Sequence, residues 1–151
     1  MDKEKLLSRM MRLCSLSEHC RADIAARLAK AQTPHAEEIL EILCKAGYID
    51  DARYARAFAR DKSSLEGWGS AKIKLTLLRK GISAEDADEA LKEIDREAAD
   101  NKLHSLVAAK WRALSKETEP AKKQAKLYRY ALGRGYCYDE IRKEYDKLRR
   151  D

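Results

Sequence analysis

The chain has 151 residues, a formal net charge of +6, two prolines and six glycines. Scarce breakers exclude long loops, and no apolar run reaches membrane-span length. A single valine and no strand-like alternation exclude a sheet protein, so the predicted class is all-α; 38% charged and 7% aromatic residues suit small cores better than one large one.

Residues 3–15 place Leu6, Leu7, Met10, Met11 and Cys14 at helical spacing. Ser17 is positioned to cap a second helix over 18–31, with Ala22, Ile24, Ala25 and Leu28 inward. Thr33-Pro34 restarts the chain, as N-cap and first residue of a third helix that reaches Ala46. That helix is expected to bury Ala36, Ile39, Leu40, Leu43 and Cys44, and Gly47 ends it. Asp50 caps a fourth helix over 51–65, where Arg53, Arg56 and Arg60 recur at i, i+3 and i+7 on one face. Tyr54, Ala55 and Phe58 lie on a packing face. Ser63, Ser64 and Gly67 mark a loop reaching Trp68.

A fifth helix over 70–80 stops at Gly81. It sets Ala71, Leu75 and Leu78 on one side, with Ile73 and Leu77 near them, and Lys72, Thr76, Arg79 and Lys80 opposite. Ser83 caps the sixth, whose stripe is Ala87, Ala90, Leu91 and Ile94; Glu85 and Asp86 suit its positive N-terminal end. The seventh, over 97–114, carries Leu103, Leu106, Val107 and Trp111. A polar break follows, closed by Pro120. The eighth covers 121–132 and ends at Gly133-Arg134-Gly135. The ninth covers 138–148 with Ile141, Tyr145 and Leu148 inward.

Aligning the second-to-third helix corners superposes Leu28-x-x-x-x-Thr33, Leu78-x-x-x-x-Ser83 and Leu132-x-x-x-x-Cys137, at offsets of 50 and 54 residues. The chain thus reads as three tandem three-helix repeats, 1–49, 50–95 and 96–151. Each is too small to be very stable alone, so stacking end to end into an elongated rod, straight or curved, is expected.

Charge is segregated along these repeats. Residues 96–151 hold 15 basic against 9 acidic residues, and 53–80 hold 8 against 2. Residues 85–95 hold 6 acidic residues against Lys92 alone. Such segregation points to a polyanion or a charge-patterned protein partner.

Catalytic patterns are missing. No Gly-x-x-x-x-Gly-Lys loop occurs, so nucleotide hydrolysis is not expected. Cys14-x₅-Cys20 with His19 lacks zinc-site spacing, and His35 and His104 stand without a nucleophile pattern. No catalytic residue, metal ligand or cofactor is expected. The N-terminal stretch lacks a signal-peptide run, so a cytoplasmic protein with four reduced cysteines (Cys14, Cys20, Cys44, Cys137) is expected.

The pattern Asp50-Asp51-x-Arg53-Tyr54-Ala55, then Gly69-x-x-x-Ile73-x-x-x-Leu77-x-x-Lys80-Gly81-Ile82, resembles the RecX family, small bacterial proteins that regulate the RecA recombinase. Lys126-Leu127-x-x-Tyr130-Ala131-Leu132-x-Arg134-Gly135-Tyr136 is similar to that family's basic-aromatic corner. The likeness thins before Ala46, where the family's paired arginines are missing. It implies three tandem three-helix repeats and a monomeric non-enzyme. The implied partner is a RecA filament, with weak sequence-nonspecific contact to single- or double-stranded DNA and none to membrane.

The candidate contact residues are the basic faces: Arg53, Arg56, Arg60, Lys72, Arg79 and Lys80, then Lys122, Lys123, Lys126, Arg129 and Arg134. Guanidinium forks there suit phosphates or carboxylates. Tyr54, Trp68 and Tyr130 are candidate aromatic contacts. Reversing Arg53 and Arg56 together is expected to spare helicity and abolish regulation. A competing reading makes each second-to-third helix corner a helix-turn-helix of a transcriptional repressor; the acidic sixth helix, which would enter the groove, opposes it.

Overall fold

The computed structural model describes residues 2–150. They form α1 (Lys3–Leu16), α2 (Arg21–Lys30), α3 (Ala36–Lys45), α4 (Asp51–Ser64), α5 (Ser70–Arg79), α6 (Ala84–Lys92), α7 (Arg96–Ala113), α8 (Pro120–Gly133) and α9 (Tyr138–Arg150). No strand occurs among the described residues, and no helix is long and apolar enough to cross a membrane.

Two helix starts differ from expectation. Ser17 does not cap α2; its hydroxyl meets His19 Nε2 at 3.1 Å, and α2 begins four residues later at Arg21. The N-cap is Cys20, which makes no side-chain cap bond. Instead the Arg21 N–H donates to Asp51 Oδ1 at 2.8 Å, so the opening residue of α4 caps α2 from outside. Pro34 also stands outside its helix. Thr33 Oγ1 accepts from the His35 N–H at 3.1 Å, closing a tight turn, and α3 starts at Ala36. Asp50, Ser83 and Asp95 cap α4, α6 and α7 through the N–H groups of Arg53, Asp86 and Ala98.

The chain divides into two compact units. One takes the chain as far as Ala57 together with Leu77–Ala90; the other takes Phe58–Thr76 and the chain from Leu91 onward. The dividing lines therefore run through α4, α5 and the end of α6.

The first unit centres on Leu6, Met10, Ile24, Leu28, Ile39, Leu40, Leu43 and Ile49. Burial of such side chains stabilises by about 1.5–3 kcal/mol each. Leu77, Ile82, Ala87 and Ala90 are buried in the same unit, whereas Ala22 and Cys44 are exposed, contrary to their expected packing. The start of α2 meets the α5–α6 corner here: Cys20 Sγ lies 4.0 Å from the Lys80 carbonyl oxygen.

The second unit centres on Leu103, Val107, Leu127, Tyr128, Ala131, Tyr136, Ile141 and Tyr145. It repeats that joint in a tighter form. Gly69 N–H donates to Arg134 O at 2.7 Å, and Ala71 N–H donates to Gly135 O at 3.1 Å. A Cβ on Gly69 would collide with the Gly135 carbonyl, so glycine is required for backbone to meet backbone.

On α5 the inward pair is Ile73 and Leu77, both fully buried. Leu75 and Leu78, expected inside, are 48% and 40% exposed, and Ala71 is exposed with them. The two stripes overlap in sequence. Packing of the corner decides between them, because Ile82 and Leu77 are buried as a pair, with Ile82 N–H donating to Leu77 O at 3.1 Å. The repeat register shifts accordingly. The left-handed corner residues are Gln32, Gly81 and Gly135, with φ of 53°, 82° and 97°. Four residues before each lies a buried side chain: Leu28, Leu77 and Ala131. Leu28 thus corresponds to Leu77 rather than Leu78.

Candidate protein and nucleic-acid interface

Several of the candidate cations are engaged in holding their own unit together. In the first unit Arg53 Nε lies 2.5 Å from Glu18 Oε2, while its Nη2 donates to the Gly47 carbonyl at 3.0 Å and the Tyr48 carbonyl at 3.4 Å. The Glu18 hydrogen bond raises the Arg53 pKa, fixing its charge. The guanidinium thereby ties the turn that follows α3 to the segment before α2. Reversing Arg53 would set a carboxylate against Glu18 and two carbonyl oxygens, so that substitution would weaken packing as well as change surface charge. Lys80 Nζ lies 3.4 Å from Asp23 Oδ1 and 6.0 Å from the Tyr54 ring centroid. Tyr54 itself is buried, and burial pushes its phenol up. Arg56 and Arg79 are exposed.

In the second unit Arg134 Nε donates to Gly67 O at 3.0 Å, its Nη2 donates to Glu66 O, and the Tyr136 hydroxyl also donates to Gly67 O at 3.0 Å. These bonds pin the turn before α5 onto the α8–α9 corner. Burial pushes the Tyr136 phenol up to about 12, so it stays a donor at any physiological pH. Trp68 is a half-buried plug. It meets Phe58 edge-on at 6.0 Å, with Lys62 and Lys72 ammoniums 4.8 and 4.2 Å from its ring. Tyr130 has Lys110 at 5.3 Å and Arg134 at 5.8 Å. The three aromatic candidates are thus occupied by protein neighbours or buried.

Of the candidate cations in the second unit, Arg60 on α4 and a row on α8 face solvent. Lys122, Lys126 and Arg129 stand at i, i+4 and i+7, one face of a helix whose opposite side buries Leu127 and Ala131. Lys122 pairs with Glu119 at 3.2 Å and Lys126 with Glu117 at 2.6 Å, contacts that exposed surfaces make cheaply and release readily.

The placement of these lysines is unusual for a helix. Among the described residues, seven of the nine helices carry an acidic residue in the first turn, where the helix dipole favours it; α5 and α8 carry none. Both have lysine there instead: Lys72 on α5, Lys122 and Lys123 on α8. The helix dipole opposes a cation at a positive helix end, and here Lys122 is offset by Glu119, Lys72 by the Trp68 ring and Lys123 by the Trp111 ring.

Comparison with known proteins gives the family. Residues 50–91 match the profile described as RecX, second three-helix domain, and residues 99–143 match RecX, third three-helix domain. The regulatory protein RecX of Chlorobium phaeobacteroides is 30% identical over 149 residues, covering 97% of this chain and 95% of that protein. The chain belongs to the RecX family. The regulatory protein RecX of Clostridium beijerinckii is 40% identical over 101 residues, 66% of this chain; that match spans only 46% of the clostridial protein, about half its length.

A crystal structure of regulatory protein RecX superposes with a TM-score of 0.84 at 26% identity, covering 95% of this chain and 71% of the other. A crystal structure of RecX from Lactobacillus salivarius shares the fold, with a TM-score of 0.82 at 23% identity and coverage of 98% and 97%. The repeated three-helix architecture is thus that of RecX proteins.

All eleven candidate cations fall inside the two regions matched to RecX domains. Two clusters escaped the sequence reading. Glu144 is buried with His104 Nδ1 2.8 Å from its Oε2 and Lys147 Nζ 3.4 Å from its Oε1. Trp111 and Tyr145 meet Lys123 and Arg149 beside a cavity. The only sequence signal for the second cluster was the i, i+4 spacing of Tyr145 and Arg149, since both rings read equally well as core.

Proposed function

We propose that the chain regulates RecA by binding the RecA–DNA filament and lowering its recombinase and ATPase activities, without catalysis of its own. The observation that carries this reading is the 149-residue match to a RecX regulatory protein, which runs through nearly all of both chains. The geometry supplies the means. Solvent-facing cations on α4, α5 and α8 offer guanidinium and ammonium groups to acidic protein surface or DNA phosphate. Several modest contacts on one chain add through effective concentration, so no single site has to be tight. Contact with free DNA is weak, sequence-nonspecific and steeply salt-dependent, because it rests on phosphate neutralisation. The chain acts as a monomer in the cytoplasm.

The repressor alternative fares worse. Glu85, Glu89 and Glu93 on and beside α6 are exposed, and they would face phosphates if that helix entered a groove.

The test is to add the purified chain to RecA filaments preformed on single-stranded DNA and follow ATP turnover. A dose-dependent fall in turnover is expected. Turnover unchanged at saturating chain would remove the reading.

A further inference from the structure

The second unit holds a cavity of about 300 Å³ that the interface above leaves unused. That is the small end of the ligand-pocket range of roughly 300–1,000 Å³, room for one compact aromatic molecule. Its apolar wall is the Trp111 indole meeting the Tyr145 ring edge-on, with centroids 5.7 Å apart. A cation stands over each ring: Lys123 Nζ is 3.8 Å from the Trp111 centroid, and Arg149 Cζ is 5.5 Å from that of Tyr145. Thr118 and Glu117 add a hydroxyl and a carboxylate. Glu117 is matched by Lys126, whose hydrogen bond holds its carboxyl below the usual range. It therefore leaves Lys123 and Arg149 available for an outside anion.

Each feature alone has a plain explanation. Rings at helical spacing are core, and cations on a rim are solvated. Their combination around one half-open cavity is more selective. Trp111 is half-buried rather than sealed, and Lys123 sits in a first turn where the helix dipole opposes it. A matching ligand needs a flat π surface for the rings and an anionic group within reach of both cations. A donor for Glu117 would complete the match. A base with its phosphate has all three. An acidic side chain would use the cations and leave the wall idle; an aliphatic group would use the wall and leave the cations idle.

We propose that this cavity binds one nucleotide unit, with its base on the Trp111 indole and its phosphate between Lys123 and Arg149. Without ligand the Lys123 ammonium rests on the indole face. When a base takes that face, the ammonium moves outward to the phosphate, so one contact is exchanged for another. The unit is supplied by a single strand or by a free nucleotide. The inference deepens the nucleic-acid part of the proposed function and rests on that reading for the strand as source.

The experiment uses the isolated chain without RecA, so its failure leaves the ATP-turnover result standing, and the reverse. The two tryptophans give two indole N–H resonances, with Trp68 as internal control and Trp111→Phe for assignment. The probes are deoxyadenosine 5′-monophosphate, deoxyadenosine without phosphate, and a thymidine oligodeoxynucleotide. Saturable movement of the Trp111 resonance, with Trp68 still, is expected for both phosphorylated probes. Lys123→Gln or Arg149→Gln should each weaken it about tenfold, as should removal of the phosphate. A strand that binds at least tenfold tighter than the mononucleotide assigns the strand as natural source; equal affinities assign the free nucleotide. An unmoved Trp111 resonance with both probes, or binding unchanged in the variants, overturns the proposal. Arg149 is exposed, so its variant keeps the test valid if Lys123→Gln unfolds.

Discussion

Replacing Arg53 by Ala removes one ion pair and two hydrogen bonds to carbonyl oxygens in a single step. The side chain is 39% exposed, so solvent discounts the loss. A destabilisation of about 1–2 kcal/mol is expected. Arg129→Ala, on the exposed face of α8, should stay within about 0.5 kcal/mol. Parallel urea titrations of the two variants check this; equal midpoints would show that the Glu18 contact contributes nothing. The i, i+3, i+7 spacing made Arg53 look equivalent to Arg56 and Arg60. Its partner Glu18 lies 35 residues away, and no local pattern announces a contact of that range. The same holds for Arg134, whose acceptors are 67 and 68 residues distant.

At the scale of elements, helices were legible where local chemistry fixes them. Asp50 and Ser83 supply capping oxygens, and Gly47, Gly81 and Gly135 take the positive φ that ends a helix. Where a distant group does the work, the reading moved. Ser17 had the right chemistry for a cap, yet Asp51 does the capping of α2. Asp51→Ala should therefore cost about 1 kcal/mol, whereas Ser17→Ala should be close to neutral. Amide exchange at Arg21 provides a site-resolved check; faster exchange in the Ser17 variant but not in the Asp51 variant would reverse the assignment. The choice between Leu75/Leu78 and Ile73/Leu77 is of the same kind. Both stripes are helical, and only contact with Ile82 and its neighbours selects one.

At the scale of the whole molecule, the all-helical class and the triplet repetition followed from composition and corner spacing, while the register between first and second corners did not. Gln32 takes a left-handed turn that the other corners give to glycine, and its identity hides the equivalence. Segregated charge was legible too, as a quantity. Which cations brace a unit and which face outward depended on tertiary partners. That division is the centre of the functional account: Lys122 and Arg129 are exposed, Arg53 and Arg134 are braces.

The most direct measurement reverses Lys122 and Arg129 together, leaving the Glu117–Lys126 pair intact, and compares the variant with the parent chain on DNA-bound RecA. With helicity and melting temperature unchanged, suppression of ATP turnover should weaken at least about tenfold, in keeping with the loss of two charge-assisted contacts. A variant that suppresses turnover as well as the parent would contradict the account and move the interface off α8.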